Sequence, residues 1–185
     1  MKISAYYSVV CLLICVVLCG GMAGCGYSSS SLLPADQNSI HVDNFANGIS
    51  TTREISDKRN SYSYKPGLEN DLTRAVINGF IFDRHLAIET EQKSALLLKG
   101  TLTDFRQYPL TYDDDYNIDE FRMEIFIDME LYNNKTGEVL WTEKNFMGQT
   151  NYYVTGPNKM TEGAAQNAAI KDLALRVVER TVEAW

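Results

Sequence analysis

Residues 119–133 constrain this chain more than any other segment. Phe121, Met123, Ile125, Ile127, Met129 and Leu131 alternate with Arg122, Glu124, Phe126, Asp128 and Glu130. A period of two over that length buries one side of an extended strand and leaves the other mostly polar, the pattern of an antiparallel sheet covered on a single face. Asn133-Asn134-Lys135-Thr136-Gly137 follows as a hairpin turn, with Gly137 free to take positive φ. The strand before it is expected over 95–108, where Leu96, Leu98, Gly100 and Leu102 share a face, and is joined to it by a 109–118 hairpin tip. The strand after it is expected from about Val139 through Trp141 and Phe146 to Tyr152.

Two segments carry a helical period instead. After Pro66-Gly67, Leu68, Leu72, Ala75, Val76, Gly79 and Phe80 fall on one stripe, with Glu69 and Asp71 in the first turn where the helix dipole favours acids. That helix is expected to reach about Phe82. Thr161 suits an N-cap for a last helix to Trp185, with Ile170, Leu173, Ala174, Val177, Val178, Thr181 and Val182 at helical spacing. Short strands are expected around Ile40, Val42 and Phe45 and over 86–88, with a turn at 91–94. The polar stretch 46–65 is longer than an ordinary loop.

The order β-α-β-β-β-β-α predicts an α+β two-layer sandwich, a largely antiparallel four- to five-stranded sheet with two helices on one face. The opposite face, with Lys99, Glu124 and Glu130, must meet water or the wall of a polar cavity. The expected division is 1–24 signal peptide, 25–39 lipidated N-terminus and tether, and 40–185 a single α+β domain.

The leader reading rests on Lys2, an apolar run from Val9 to Leu18 and small residues to Gly24, a run too short to span a membrane. It ends in Met22-Ala23-Gly24-Cys25, which resembles a lipobox with Met in place of Leu. Cys11, Cys15 and Cys19 lie inside the leader, so cleavage leaves Cys25 as the one thiol, without an internal disulfide partner. A thioether diacylglycerol and acyl chains such as palmitate on Cys25 give a stable anchor, since two or three chains hold where one does not. Gly26, rather than Asp, after Cys25 favours the outer membrane by resemblance to enterobacterial sorting. The polar tether 26–39 reaches about 50 Å when extended, at roughly 3.3–3.6 Å per residue.

With 24 Asp+Glu against 17 Lys+Arg and a net charge of −7, the chain lacks the excess basic field that nucleic acid or an anionic membrane surface would require. Catalysis finds little footing. His41 and His85 stand without a nucleophile in an elbow, and no phosphate-binding glycine loop or zinc-ligand spacing occurs. His41 is expected on the solvent face of its strand. The run Asp113-Asp114-Asp115 with Asn117 and Asp119 invites a calcium reading. However, Ile118 stands where an EF-hand needs Gly, and Glu124 belongs to a strand, so no metal or other cofactor is expected.

Gly24-Cys25-Gly26-Tyr27, Pro66-Gly67-Leu68-Glu69 with Leu72-Thr73, Gly100 with Leu102 and Phe105, Glu120-Phe121-Arg122-Met123, Gly137 with Val139-Leu140-Trp141, and the 161–185 helix occur in order along the chain. The set resembles the lipopolysaccharide-assembly lipoprotein family LptE. The resemblance implies a non-enzymatic outer-membrane lipoprotein of the Gram-negative envelope. It would plug the lumen of a large β-barrel, LptD, and aid insertion of lipopolysaccharide into the outer leaflet, binding lipopolysaccharide itself. Its place would be the periplasmic side of the membrane or the barrel lumen, with no nucleic-acid partner. The alternative is a stand-alone periplasm-facing outer-membrane lipoprotein that binds a ligand or activates an envelope enzyme.

Lipopolysaccharide carries phosphates and fatty chains, so a contact site should pair Lys or Arg with aromatic surface. The strand directions bring the 109–118 tip and the 153–160 loop to one end of the sheet. Arg106, Tyr108, Tyr112, Arg122, Tyr153 and Lys159 fall near that end and form the candidate contact cluster for lipopolysaccharide or the barrel, with Lys159 and Arg106 as phosphate partners. The competing reading is that Arg106 and Arg122 only offset neighbouring acids. The 46–65 loop, with Tyr62 and Tyr64, is a second candidate partner surface.

Overall fold

The computed structural model describes residues 36–49 and 66–183. The leader, Cys25, most of the tether, Tyr62, Tyr64 and Trp185 therefore lie outside the described residues. The elements are β1 (Ser39–Val42), β2 (Ala46–Asn47), α1 (Leu68–Asp83), β3 (Ala87–Ile88), β4 (Leu96–Tyr112), β5 (Ile118–Asn133), β6 (Val139–Tyr153) and α2 (Glu162–Glu183). Their sheet runs β3-β1-β4-β5-β6, with the two-residue β2 also paired to β4. The long β4, β5 and β6 are antiparallel, while β1 is parallel to both β3 and β4 and β2 is parallel to β4. Two helices pack on this mixed, mostly antiparallel sheet, and the α+β two-layer architecture read from the sequence is the one observed.

The alternation in β5 produces the core. Met123, Ile125, Ile127 and Leu131 are fully buried and Met129 nearly so, on the face that carries Leu98 and Leu102 of β4 in register. Against that face lie Leu68, Leu72, Val76 and Phe80 of α1 and Ala169, Leu173, Val177 and Val182 of α2. Close approach is allowed at Gly148, where an added Cβ would fall 2.4 Å from that of Leu173, and at Gly79, where it would meet Val178 Cγ2 at 3.0 Å. The Thr73 hydroxyl donates to the Glu69 carbonyl and accepts the Phe45 N–H at 3.0 Å, tying α1 to the start of the sheet. Thr161 caps α2 as expected, its Oγ1 accepting the Ala164 N–H at 3.2 Å. Gly137 takes φ 73 in the hairpin turn.

Two segments differ in their bounds from the sequence reading. The 109–118 tip is confined to residues 113–117, because β4 continues to Tyr112. Pro109 does not stop it: β1 and β2 pair with β4 only as far as Leu102, so among the described residues β4 is an edge strand beyond that point, where Pro removes no ladder bond on the open side. The polar stretch from 46 onward begins with β2, whose Ala46 and Asn47 align with Thr101 and Leu102. No helix among the described residues is long and apolar enough to cross a membrane.

Candidate functional site

Both helices lie on the Leu98–Ile125–Gly148 side of the sheet, and the side chains that alternate with the core line a face that no other element among the described residues covers. Across β4, β5 and β6 its rows read Lys99–Glu130–Thr142, Asp104–Phe126–Met147, Arg106–Glu124–Gln149 and Tyr108–Arg122–Asn151. Charges on it are partnered laterally. Arg106 bonds Asp104 Oδ2 through Nε at 2.8 Å and lies 4.5 Å over the Phe126 ring. Arg122 Nε donates to Asn151 Oδ1 at 2.9 Å, and Lys144 pairs with Asp128 at 3.1 Å. Lys99 stands 5.4 Å over the Tyr132 ring, whose hydroxyl donates to Glu130.

Two tyrosines on this face hold their protons more firmly than usual. The Tyr108 hydroxyl donates to Glu124 Oε1 at 2.6 Å. That bond, with burial second and the carboxylate's charge adding to it, raises the Tyr108 pKa against the opposing pull of Arg122. The bond to Glu130, then burial, does the same for Tyr132. Burial pushes the Asp128 carboxyl up, yet the Asn145 N–H and Lys144 together hold it below the usual carboxylate range. Asn145, with φ 52, forms the irregularity that interrupts the β5–β6 register after Ile127. A shallow depression of about 380 Å³ opens between Asp43, Lys99, Asp128, Glu130 and Lys144.

The six sequence-predicted residues fall in two groups. Arg106, Tyr108 and Arg122 are neighbours on the uncovered face, with Tyr108 directly across from Arg122. Tyr112, Tyr153 and Lys159 belong to the end of the sheet beyond them: Tyr112 pairs with Ile118, Tyr153 with Glu120, and Lys159 bridges to Tyr153 from the loop after β6. That loop is fastened to the start of β5, since Val154 N–H donates to the Asp119 carbonyl at 3.0 Å and the Thr155 hydroxyl reaches the Asp119 carboxylate. Met160 N–H donates to the Tyr153 carbonyl at 2.8 Å.

Sequence reasoning missed Tyr116, 89% exposed with φ 63, and the exposed Val154 and Met160, which extend the aromatic and apolar character of this end. It also missed the lateral partners Asp104, Phe126 and Asn151, since a face can be read from alternation but a cross-strand neighbour requires the register. At the tip, Asp113 uses its carboxylate internally. It accepts the backbone N–H groups of Asp115 and Asn117 and the Asn117 amide, and these bonds, the backbone one from Asn117 foremost, lower its pKa. Among the described residues no group of three or more His, Cys, Asp or Glu side chains is gathered to hold a metal. His41 is half-buried, and its Nδ1 lies 3.0 Å from the Glu89 carbonyl.

Residues 38–184 match the family model described as LptE, lipopolysaccharide-assembly. No curated protein sequence matches the chain. Among solved structures, a PelC dodecamer from Paraburkholderia phytofirmans is similar at TM-score 0.50 and 13% identity, over 84% of this chain and 96% of that one. A protein of Xanthomonas campestris is similar at TM-score 0.51 and 12% identity, over 81% and 88%. A hypothetical protein of Chlamydia trachomatis is similar at 0.50 and 5% identity, over 78% and 95%. At such identities these likenesses concern the fold alone.

Proposed function

Because the chain belongs to the lipopolysaccharide-assembly family LptE, we propose that it is an outer-membrane lipoprotein that seats as a plug in an LptD-like β-barrel and aids insertion of lipopolysaccharide into the outer leaflet. Family membership carries the coarser statement, a non-enzymatic role in lipopolysaccharide assembly at the cell envelope. One observation supports the finer one. Both helices lie on a single side of the sheet, and the other side offers the partner a polar surface on which Arg106 and Lys144 are ion-paired and Lys99, Arg122, Glu124 and Glu130 lie against neutral side chains. The lumen of a large barrel is itself polar and wet, so such a face can lie against it with its charges still solvated.

Within that reading, Arg106, Tyr108, Tyr112, Arg122, Tyr153 and Lys159 contact lipopolysaccharide or the barrel wall. Arg106 and Lys159 supply charge-assisted hydrogen bonds to phosphate, and the tyrosines supply amphipathic area beside them. Arg106 would have to share its guanidinium with Asp104, which limits what it adds. Lipids on Cys25 keep the domain at the membrane, facing the periplasm or the lumen. Depletion of the chain from its host tests the proposal. Surface lipopolysaccharide should fall while total synthesis continues, and an unchanged surface level would remove the assembly role.

A further inference from the structure

The sheet ends on one side at β3, which is 2 residues long, and on the other at β6, which is 15. A further edge opens on β4 beyond Leu102, where β1 and β2 stop pairing with it among the described residues. An open edge offers a row of main-chain N–H and C=O groups to any extended segment, a second copy of the chain included. The short β3 offers too little to pair, so the exposure falls on β4 and β6.

In an antiparallel ladder alternate residues turn both main-chain groups toward the same neighbour. From Phe146 to Tyr153 the register of β6 on β5 is continuous. The Gln149 N–H donates to Asp172 Oδ2 of α2 at 2.9 Å rather than to β5, so Met147, Gln149, Asn151 and Tyr153 face outward. Asp172 is itself held by Arg176 Nε at 3.0 Å, one helical turn on. At the end of this row the Tyr153 carbonyl is taken by the Met160 N–H at 2.8 Å. The register of β4 on β5 is likewise continuous from Asp104 to Pro109. There the Phe105 N–H donates to Asp104 Oδ1 at 2.9 Å, so Phe105, Gln107 and Pro109 face outward. Proline has no N–H, which leaves Gln107 as the one donor of the three that an added strand could use.

We propose that Asp172 on β6, and Asp104 with Pro109 on β4, guard the sheet against strand addition. A strand docking on β6 would have to displace a hydrogen-bonded carboxylate, and one docking on β4 would find two of three donors missing. The two devices are unrelated, one borrowed from a helix and the other built into the strand, yet they act alike. The domain is thereby kept as a single copy, and it meets other proteins through side chains rather than by extending its sheet. The guard acts on any extended segment, so it does not depend on the barrel reading.

The test opens each edge separately in the full lipidated chain, with Asp172→Ala for β6 and Asp104→Ala combined with Pro109→Thr for β4. Asp172→Asn is the control, because it loses the charge but keeps an oxygen to accept the Gln149 N–H. Sedimentation equilibrium in density-matched detergent reads the oligomeric state, and amide hydrogen exchange reads where copies meet. The parent and Asp172→Asn should be monomers. Asp172→Ala should self-associate, with protection at Met147, Gln149 and Asn151 rising several-fold as protein concentration is raised. The β4 variant should do the same at Phe105 and Gln107. Circular dichroism checks folding, and since the edges are opened separately, a variant that failed to fold would leave the other to decide. Folded variants that stay as monomeric as the parent overturn the guard. So does association without concentration-dependent protection at these amides. Asp172→Asn associating as strongly as Asp172→Ala also overturns it, because the lost charge and not the open edge would then be the cause.

Discussion

Gly148 of β6 lies directly beneath Leu173 of α2, where an added Cβ would come within 2.6 Å of the Leu173 Cα and backbone nitrogen. Backbone cannot move aside as a flexible side-chain tip can, so the helix must lift or the strand must bend. Gly148→Ala should cost about 1–3 kcal/mol in urea unfolding, in the range of core overpacking. Unchanged stability would mean that α2 does not sit this close to the sheet.

Tyr108 and Glu124 give a pH signature. The folded-state pKa of Tyr108 is raised from 10.0, so its stabilising contribution is complete below pH 10 and disappears as pH rises through the raised value. Tyr108→Phe should cost about 1 kcal/mol at neutral pH, because Glu124, only 8% exposed, loses its donor. The variant should also lose less stability than the parent above pH 10. Parallel alkaline curves for the two proteins would contradict the bond.

Asp128 has the opposite sign. Its folded-state pKa is lowered from 3.8, so its contribution is present above that value and is lost as pH falls through the lowered one. Asp128→Asn should flatten the acid limb of the stability profile. It should also raise amide hydrogen exchange at Asn145, whose N–H the carboxylate accepts at 2.9 Å. Exchange at Asn145 that is the same in both proteins would exclude that capping role.

The charged pair proposed for phosphate is tested by Arg106→Glu combined with Lys159→Glu. Crosslinking to lipopolysaccharide should fall several-fold with the fold intact by circular dichroism. If the yield is unchanged, the two residues do no more than balance nearby acids.

Much of the fold was legible because burial imposes periods. The β5 alternation, the α1 stripe and the Thr161 cap each survive into the structure with shifts of a few residues at most. What was not legible depends on partners distant in sequence. The strand before the tip was read as ending at Tyr108, because nothing local shows that β1 and β2 stop pairing at Leu102 and leave β4 an edge among the described residues there. Three parallel pairings were hidden for the same reason. At the site, Arg106 and Arg122 were found from composition and strand direction. That Arg106 is already shared with Asp104 and Phe126, and Arg122 with Asn151, required the register and the irregularity after Leu102.

The plug assignment meets its most direct test in detergent extraction of the full-length tagged chain from outer membranes, followed by affinity and size-exclusion chromatography. The account predicts a stable complex with about one copy of a large β-barrel protein that survives both steps. A monodisperse monomer without any barrel partner would contradict it.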